Sequence, residues 1–312
     1  MTPGSAILLM GPTGAGKTDL AIGLAERFPL EIVSVDAAMV YRGMDIGTAK
    51  PSRELLARAP HHLIDLIDPL ESYSAARFLA DADAATKAIR ARGRTPLFVG
   101  GTMLYFRALQ SGLARLPAAD PAIRQRIEER AGATGWPALH AELAHLDPAA
   151  AARIRPNDRQ RIQRALEVIE RTGRPLSAQL SENLRGATRS EFLRIVLAPA
   201  HRAALGLRIA ERFDAMLREG LLDEMRRLRA RGDLHPELPA MRLIGYRQLW
   251  SHLESGASLA EAVEKAVIAT RQLARRQLTW LRAEPGAEWF DAFDSGTPER
   301  IAARVAEWLQ NR

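Results

Sequence analysis

The stretch Gly11-Pro-Thr-Gly-Ala-Gly-Lys-Thr18 has the spacing G-x-x-x-x-G-K-[ST], and it follows an apolar run and precedes a helical pattern. This is the context in which glycines let backbone N–H groups converge on a phosphate at a helix N-terminus. The Lys17 ammonium would reach the terminal phosphates, and the Thr18 hydroxyl would bind Mg²⁺. We therefore predict a di- or triphosphate site formed by Gly11, Pro12, Thr13, Gly14, Ala15, Gly16, Lys17 and Thr18.

A carboxylate ends the second apolar run of the chain. Asp36 directly follows Glu31–Val35, at the carboxyl edge where open α/β sheets bind ligands. A phosphate-transferring enzyme carries there either an acid that organises a metal or a base that faces the acceptor. An aspartate that only caps the following helix is the structural alternative. The turn Val99-Gly-Gly-Thr102 brings one hydroxyl and no carboxylate to the same predicted edge.

Five apolar runs predict the strands that position these groups: Ala6–Met10, Glu31–Val35, His62–Ile67, Pro96–Val99 and Phe192–Leu197. The first four alternate with helical patterns over about the first hundred residues, which is typical of βα units on a parallel sheet. We predict an α/β fold, a P-loop parallel-sheet core with helices on both faces.

The interval between the fourth and fifth runs shows helical patterns and few strand signals. Asp120, followed by proline, predicts a helix start, and Asn157 is predicted to cap a later helix that ends at Gly173. An inserted helical domain is therefore expected to split the core. The predicted domains are a core formed by 1–116 and 189–312 and an inserted helical domain at 117–188.

The composition of the 312 residues, 47% hydrophobic and 26% charged, is that of an ordinary soluble globular protein. The absence of cysteine excludes disulfides and thiolate metal sites and fits a reducing compartment. No apolar run approaches the length of a membrane span, and the first strand begins too early to leave room for a signal peptide. We expect a cytoplasmic protein with no membrane partner, and nothing in the sequence demands an oligomer.

Positive charge is concentrated in two places. The net charge is +7, and residues 153–174 and 242–282 each carry seven basic residues against three acidic ones. Arg271, Arg275 and Arg282 recur at spacings of four and seven, which places them on one helix face. Such a stripe suits a phosphate backbone, although two solvated helix faces in an arginine-rich chain are the alternative. Nearby aromatic residues, Tyr246 and Trp280, could stack on bases or belong to the core.

Seven segments, in order along nearly the whole chain, resemble those of the tRNA dimethylallyltransferases, also called isopentenyl-diphosphate:tRNA transferases. They are GPTGAGKT (11–18), VDAAMVYRGMDIGTAKP (35–51), HHLIDLIDP (61–69), FVGGTMLYFRAL (98–109), RPNDRQRIQRALEV (155–168), MRLIGYRQLW (241–250) and ATRQLARRQLTWLR (269–282). The resemblance implies transfer of a dimethylallyl group from dimethylallyl diphosphate to N6 of the adenosine 3′-adjacent to the anticodon, in tRNAs that read codons beginning with U. It also implies a P-loop core with an inserted helical domain, Mg²⁺ as cofactor, the tRNA anticodon stem-loop as partner and no obligate protein partner.

The same resemblance implies roles at the reaction centre. The phosphate loop would hold the donor's diphosphate, and its N–H groups, Lys17 and Mg²⁺ on Thr18 would stabilise the charge of the leaving group. Asp36 would take the proton of the exocyclic amine of adenine, a poor nucleophile. By the family pattern Thr102 lies at the acceptor base and Arg212 contacts the diphosphate, although Arg212 could equally be a surface residue.

Contacts to tRNA are likewise implied for matching segments, and an anticodon-loop base, already unpaired, leaves its stack at low cost. The chain departs from the family at Ala37, where many members carry serine, so the hydrogen bonds around Asp36 are expected to differ. The implied contacts are Asp36, Ala37, Ala38, Met39, Thr102, Arg124, Gln160, Arg161, Ile162, Gln163, Arg164, Met241, Arg242, Leu243, Ile244, Gly245, Tyr246, Arg275, Arg276, Gln277, Leu278, Thr279, Trp280, Leu281 and Arg282.

Two other classes of function fit parts of the sequence. A kinase of a small metabolite would use the phosphate loop and Asp36, would need ATP and would release ADP, but it leaves the arginine-rich helices unexplained. A nucleotide-gated RNA-binding protein would bind tRNA, would keep that binding after Asp36→Ala and would make no product from any donor.

Overall fold

The computed structural model describes residues 5–114, 116–183 and 191–311. The chain forms two compact units, one of Met1–Leu109 with Arg189–Arg312 and the other of Gln110–Thr188. We call them the core unit and the helical unit. The first change of unit comes shortly before the predicted 116/117 boundary, and the predicted 188/189 boundary lies outside the described residues. In the described ranges no helix is long and apolar enough to cross a membrane.

The core unit is built on a six-stranded sheet of order β3-β2-β4-β1-β5-β6 in which every pairing is parallel. The predicted α/β class with a parallel sheet is confirmed. Gly100 lies opposite both Met10 and Val35, so the carboxyl ends of β1, β2 and β4 meet at one edge. The strands are β1 Ala6–Met10, β2 Leu30–Val35, β3 His61–His62, β4 Thr95–Gly100, β5 Phe192–Ala198 and β6 Glu288–Asp291.

Side chains alternate between the two faces of the sheet, and in the buried strands both sets are buried, so helices cover both faces. Ile7 and Leu9 pack in one cluster with Ile22 of α1, whereas Leu8 and Met10 pack in another with helices on the opposite face. The helices of this unit are α1 Lys17–Arg27, α2 Arg53–Arg58, α3 Ala75–Ala91, α4 Met103–Ser111 (which runs to the unit boundary), α10 Arg202–Arg218, α11 Leu221–Ala230, α12 Tyr246–Ser255, α13 Leu259–Leu281 and α14 Thr297–Gln310.

The predicted third strand, His62–Ile67, is wrong beyond its first residue. Leu63 and Asp65 have left-handed backbones, with φ of 66° and 55°, which end the strand after His62. Leu63 and Ile67 are nevertheless buried in the loop that follows, where the N–H of Ile67 donates to the carbonyl of Val40 at 3.0 Å. The sixth strand was not predicted, since it has only four residues and Trp289 within it is exposed.

The helical unit consists of α5 Pro121–Thr134, α6 Trp136–Leu146, α7 Pro148–Ala151, α8 Arg159–Thr172 and α9 Leu176–Asn183 around a small apolar core. The predicted cap at Asp120 is confirmed, since its carboxylate accepts the N–H groups of Ala122 and Ile123. The predicted cap at Asn157 is wrong by one position. Asp158 is the cap, because its carboxylate accepts the N–H of Arg161 and an ionised acceptor is favoured at a helix start.

Candidate active site

The predicted phosphate loop connects β1 to the first turn of α1. Gly16 precedes the helix with φ of 82°, a left-handed conformation that suits glycine. Gly11 is required for a different reason, because a Cβ at that position would lie 2.2 Å from the carbonyl oxygen of Leu197 on β5. The loop is therefore pressed against the sheet edge and leaves the N-terminal N–H groups of α1 to face a ligand.

Lys17 lies over this loop. Its Nζ donates to the carbonyl of Pro12 at 2.8 Å. Burial and, to a smaller extent, the nearby Arg212 guanidinium lower the pKa of Lys17 to about 8, against the opposing effect of Asp36. An anionic ligand would stabilise the ammonium that burial disfavours, so the lysine is electrostatically suited to phosphate.

Two cavities adjoin at the carboxyl edge of the sheet. The polar one, about 560 Å³, is lined by Lys17, Thr18 and other residues of the phosphate loop. The apolar one, about 520 Å³, has walls formed largely by Met103, Leu104, Ile209, Phe213, Met216, Leu243, Ile244, Leu273 and Trp280. Asp36 and Arg212 line both cavities. The junction thus brings a carboxylate and a guanidinium together between a phosphate site and an apolar chamber.

The two oxygens of Asp36 are used differently. Oδ1 accepts the N–H of Ala38 at 2.7 Å and that of Met39 at 3.4 Å, so the carboxylate does cap the turn that follows β2. Within the described ranges Oδ2 accepts no hydrogen bond. The capping alternative and the base hypothesis are therefore compatible, because one oxygen holds the turn and the other remains for a proton.

Thr102 stands beside this carboxylate. Its Oγ1 accepts the N–H of Ala37 at 3.2 Å, and its own N–H donates to the carbonyl of Val35 at 3.2 Å. The hydroxyl hydrogen of Thr102 remains available to an acceptor in the cavity. Although Ala37 lacks the hydroxyl that many family members have, its backbone N–H connects the Asp36 turn to Thr102.

Arg212 is not an ordinary surface residue, since it lines both cavities. Burial lowers its pKa, while Asp36 has the opposite effect. A guanidinium stays charged despite such a shift, so it can meet an anion with two parallel N–H groups.

Gln277, predicted as a tRNA contact, has another use. The side chain is 8% exposed. Its Oε1 accepts the N–H of Thr13 at 2.9 Å, and its Nε2 donates to the carbonyl of Gly101 at 2.9 Å. Both polar ends of the amide are thus taken up inside the core unit, where Gln277 connects α13 to the phosphate loop and to the turn before Thr102. The predicted contact between this residue and tRNA stays a prediction, since Gln277 also lines both cavities.

Gln277→Leu is expected to lower kcat/KM for the donor about 10- to 100-fold, because a small shift of the phosphate loop relative to Asp36 misaligns the reacting groups. The free energy of unfolding should fall by only about 1–3 kcal/mol, the cost of unpaired polar groups. Steady-state kinetics and urea unfolding measure the two effects. Gln272→Leu, on the exposed side of the same helix, is the matched control. Wild-type kinetics for Gln277→Leu would contradict this role.

Glu224 was missed by the sequence analysis. It is 2% exposed, and its carboxylate accepts the N–H groups of Asp45, Ile46 and Gly47 at 2.8, 2.9 and 3.1 Å. The hydroxyl of Tyr246 donates to the same carboxylate at 2.6 Å. Together these bonds fix the loop that brings Gly47 to the apolar cavity. No local pattern signals this acid, because its partners lie far away in the chain.

Glu224→Ala is expected to lower the free energy of unfolding by at least about 3 kcal/mol, because it leaves three backbone N–H groups and a hydroxyl without their acceptor. Urea denaturation monitored by circular dichroism measures the change. The neighbouring exposed Asp223→Ala is the control and should stay within about 0.5 kcal/mol of the wild type. A loss as small as the control's would show that the loop holds itself without Glu224.

The segments predicted to contact tRNA divide into buried and exposed members. The side chains of Ile162, Met241, Tyr246, Leu278 and Leu281 are buried in the cores of their units, and the contact of their segments with tRNA stays a prediction. Tyr246 is therefore a core residue and does not stack on bases. The exposed members are Gln160, Arg161, Arg242, Arg275, Arg276, Thr279, Trp280 and Arg282.

Trp280 stays exposed, at 39%, with the guanidinium carbon of Arg107 lying 5.3 Å from its ring centroid. Arg271, Arg275 and Arg282 are exposed too, as the predicted stripe on α13 requires. In the helical unit, Arg124 and Arg164 are paired with the fully buried carboxylate of Glu167 at 2.9 and 2.6 Å. These two predicted tRNA contacts therefore also hold their own unit together.

The family models match this chain over most of its length. The model described as IPP transferase matches residues 39–284, more than half of the chain, and the one described as isopentenyl transferase matches residues 4–65. The chain belongs to the IPP transferase family. The resemblance found in the sequence is thereby confirmed.

Individual members of the family are similar along the whole chain. The identity is 58% over 305 residues with the tRNA dimethylallyltransferase of Bordetella petrii, and the match covers 97% of each chain. It is 59% over 304 residues with that of Thiobacillus denitrificans, again over 97% of each. Among solved structures, the tRNA isopentenylpyrophosphate transferase of Bacillus halodurans is 37% identical with a TM-score of 0.71, covering 98% of this chain and 97% of its own. A eukaryotic dimethylallyltransferase acting on tRNA is 27% identical with a TM-score of 0.84, covering 99% and 80%.

Proposed function

We propose that this protein transfers the dimethylallyl group of dimethylallyl diphosphate to N6 of the adenosine 3′-adjacent to the anticodon in tRNAs that read codons beginning with U. The observation that carries the proposal is the position of Asp36, which lines both the phosphate cavity and the apolar cavity. A donor with one charged and one apolar end fits such a pair of cavities, and the reacting carbon would lie at their junction. The family membership supports the same reaction.

The donor's diphosphate would bind in the polar cavity. The N–H groups at the start of α1, Lys17 and Arg212 would stabilise the negative charge that grows on the diphosphate as the allylic C–O bond breaks. The bonding electron pair leaves with the diphosphate. The five-carbon chain would lie against the apolar walls, which would shield the allylic cation from water.

The acceptor amine would approach Asp36 from the apolar side. As the C–N bond forms, the amine loses one proton, and the free Oδ2 of Asp36 is placed to take it. The hydroxyl hydrogen of Thr102 would be donated to a ring nitrogen of the same base. The products are the N6-prenylated adenosine and diphosphate, and no phosphoryl group is transferred.

We include Mg²⁺ in the proposal as the cofactor. In the described ranges no group of three or more histidine, aspartate or glutamate side chains could hold a metal. Thr18, which lines the phosphate cavity, nevertheless fits Mg²⁺, because this ion keeps several waters and binds mostly to substrate phosphates. Bound there, it would supply charge neutralisation at the leaving diphosphate.

The acceptor RNA would meet the arginine-rich surfaces of each unit. Arg275, Arg276 and Arg282 on α13 and Arg161 on α8 are exposed and suit a phosphate backbone. An anticodon stem-loop offers an adenosine that is already unpaired, which lowers the cost of bringing it into a cavity. A cytoplasmic location and the absence of a membrane partner belong to this proposal.

The kinase reading is the second candidate, and it is less favoured because the chamber beside Asp36 is walled mainly by apolar side chains. The experiment supplies radiolabelled dimethylallyl diphosphate, Mg²⁺ and an unmodified stem-loop without ATP. Label in the RNA is expected. If the RNA binds but stays unlabelled, and γ-phosphate from labelled ATP is transferred instead, the kinase reading replaces the proposal.

A further inference from the structure

Arg208 lies one helical turn before Arg212 on α10 and lines the phosphate cavity with Lys17 and Thr18. A Cβ built on Gly16 would lie 3.5 Å from Nη2 of Arg208. The guanidinium therefore reaches the residue that precedes α1, where convergent N–H groups favour an anion. The spacing of four from Arg212 is the signal by which this residue could have been found in the sequence.

The guanidinium of Arg208 has no carboxylate partner among the described residues. In the part of the chain that the structure describes, its guanidinium has neither a hydrogen-bond partner nor an ion-pair partner. Its Cζ lies 5.5 Å from the ring centroid of Phe293, on the loop between β6 and α14. Phe293 is 38% exposed, so its ring is not part of the core and packs against the guanidinium of Arg208.

The surroundings make an unpaired cation costly unless an anion binds. The three cations repel one another: the charge of Arg208 lowers the pKa of Arg212, and the charge of Arg212 lowers the pKa of Lys17. Two carboxylates, Asp19 and Glu211, also line the cavity. Neither is ion-paired with Arg208 among the described residues.

We propose that Arg208 is a third cation for the leaving diphosphate, beside Lys17 and Arg212, and that Phe293 is the positioning residue that holds it over the phosphate loop. This inference rests on the proposed function and adds a binding residue to the same site. When the allylic C–O bond breaks, the electron pair moves onto the diphosphate, and Arg208 would meet the added charge through its N–H groups.

The direct test is the affinity of the full-length protein for diphosphate with Mg²⁺, measured by calorimetry without RNA. Arg208→Ala is expected to raise the Kd about 10- to 100-fold, the effect of losing a hydrogen bond to a charged group. Phe293→Ala should raise it about 3- to 10-fold, and the double variant should bind no more weakly than Arg208→Ala alone, because Phe293 acts through Arg208. Arg208→Lys should recover part of the affinity. Arg218→Ala, at the exposed far end of α10, is the control.

A second readout separates this role from folding. Arg208→Ala should lower kcat/KM for dimethylallyl diphosphate about 10- to 100-fold and leave KM for the RNA within about twofold. The inference is overturned if Arg208→Ala binds diphosphate like the wild type, or if the Phe293 and Arg208 effects add in full. If diphosphate binding depends on Arg208 but no donor prenylates the RNA, the proposed function fails while the phosphate contact stands.

Discussion

Asp36→Asn is expected to lower kcat for prenyl transfer about 10²- to 10⁴-fold, the usual contribution of a positioned general base. Asparagine keeps the shape of the side chain, and its amide oxygen can still accept the N–H of Ala38, the bond that holds the turn. What it loses is an oxygen that can take the proton of the attacking amine. Single-turnover kinetics with saturating donor and RNA measure the chemical step directly.

The matched controls define what this loss means. Asp36→Asn should bind diphosphate and RNA nearly as the wild type does, since neither the phosphate loop nor the arginine surfaces change. Asp214→Asn, an exposed carboxylate on α10, should keep full activity. If Asp36→Asn turned over within about threefold of the wild type, proton transfer to Asp36 would not belong to the mechanism.

Lys17 is expected to impose an alkaline limit on kcat/KM for the donor. Burial lowers its pKa to about 8, so in the free enzyme the ammonium is present below that pH and is lost above it. Activity should therefore fall as the pH rises through about 8. A general base, in contrast, loses activity as the pH falls and the base becomes protonated. Bound diphosphate raises the pKa of this lysine, so the limit in kcat should appear at a higher pH than the limit in kcat/KM.

Lys17→Met tests the same residue by removing its charge. We expect a loss of about 10²- to 10³-fold in kcat/KM for the donor, comparable to the loss of one preorganised donor at a developing anion, and no alkaline limit near the original position. The free energy of unfolding should also depend on pH through Lys17. The wild type gains stability as the pH rises from about 8 towards 10.5, the ordinary pKa of a lysine, because the unfolded chain binds the proton that the folded chain has lost. The variant should lack that gain.

Local patterns in the sequence were sufficient for the features that depend on neighbouring residues. The phosphate loop was predicted because its glycines, Lys17 and Thr18 lie within eight positions of one another. Asp36 was predicted because it ends a buried strand, and a parallel sheet brings such ends to one edge. The error at His62–Ile67 has a local cause as well, since an apolar run alone does not reveal left-handed backbones at Leu63 and Asp65.

Features that depend on tertiary contacts could not be predicted. Gln277 and Thr13 are 264 positions apart, and no spacing rule connects them. Likewise, the resemblance implies that the segments containing Tyr246 and Leu278 contact tRNA, but it does not say which side chains of a segment face the core. Burial separates them, because Tyr246 is fully buried whereas Trp280 is exposed. The arginines divide in a similar way, since Arg124 and Arg164 pair with Glu167 while Arg161 is exposed.

The most direct test of the central claim is mass spectrometry of nucleosides from the acceptor RNA. The protein is incubated with Mg²⁺, dimethylallyl diphosphate and an unmodified anticodon stem-loop, without ATP, and the RNA is then digested and sequenced. We expect N6-dimethylallyl adenosine at the position 3′ to the anticodon with the wild type, and none with Asp36→Asn. An RNA that binds but remains unmodified, or that is modified at another position, would contradict the central claim.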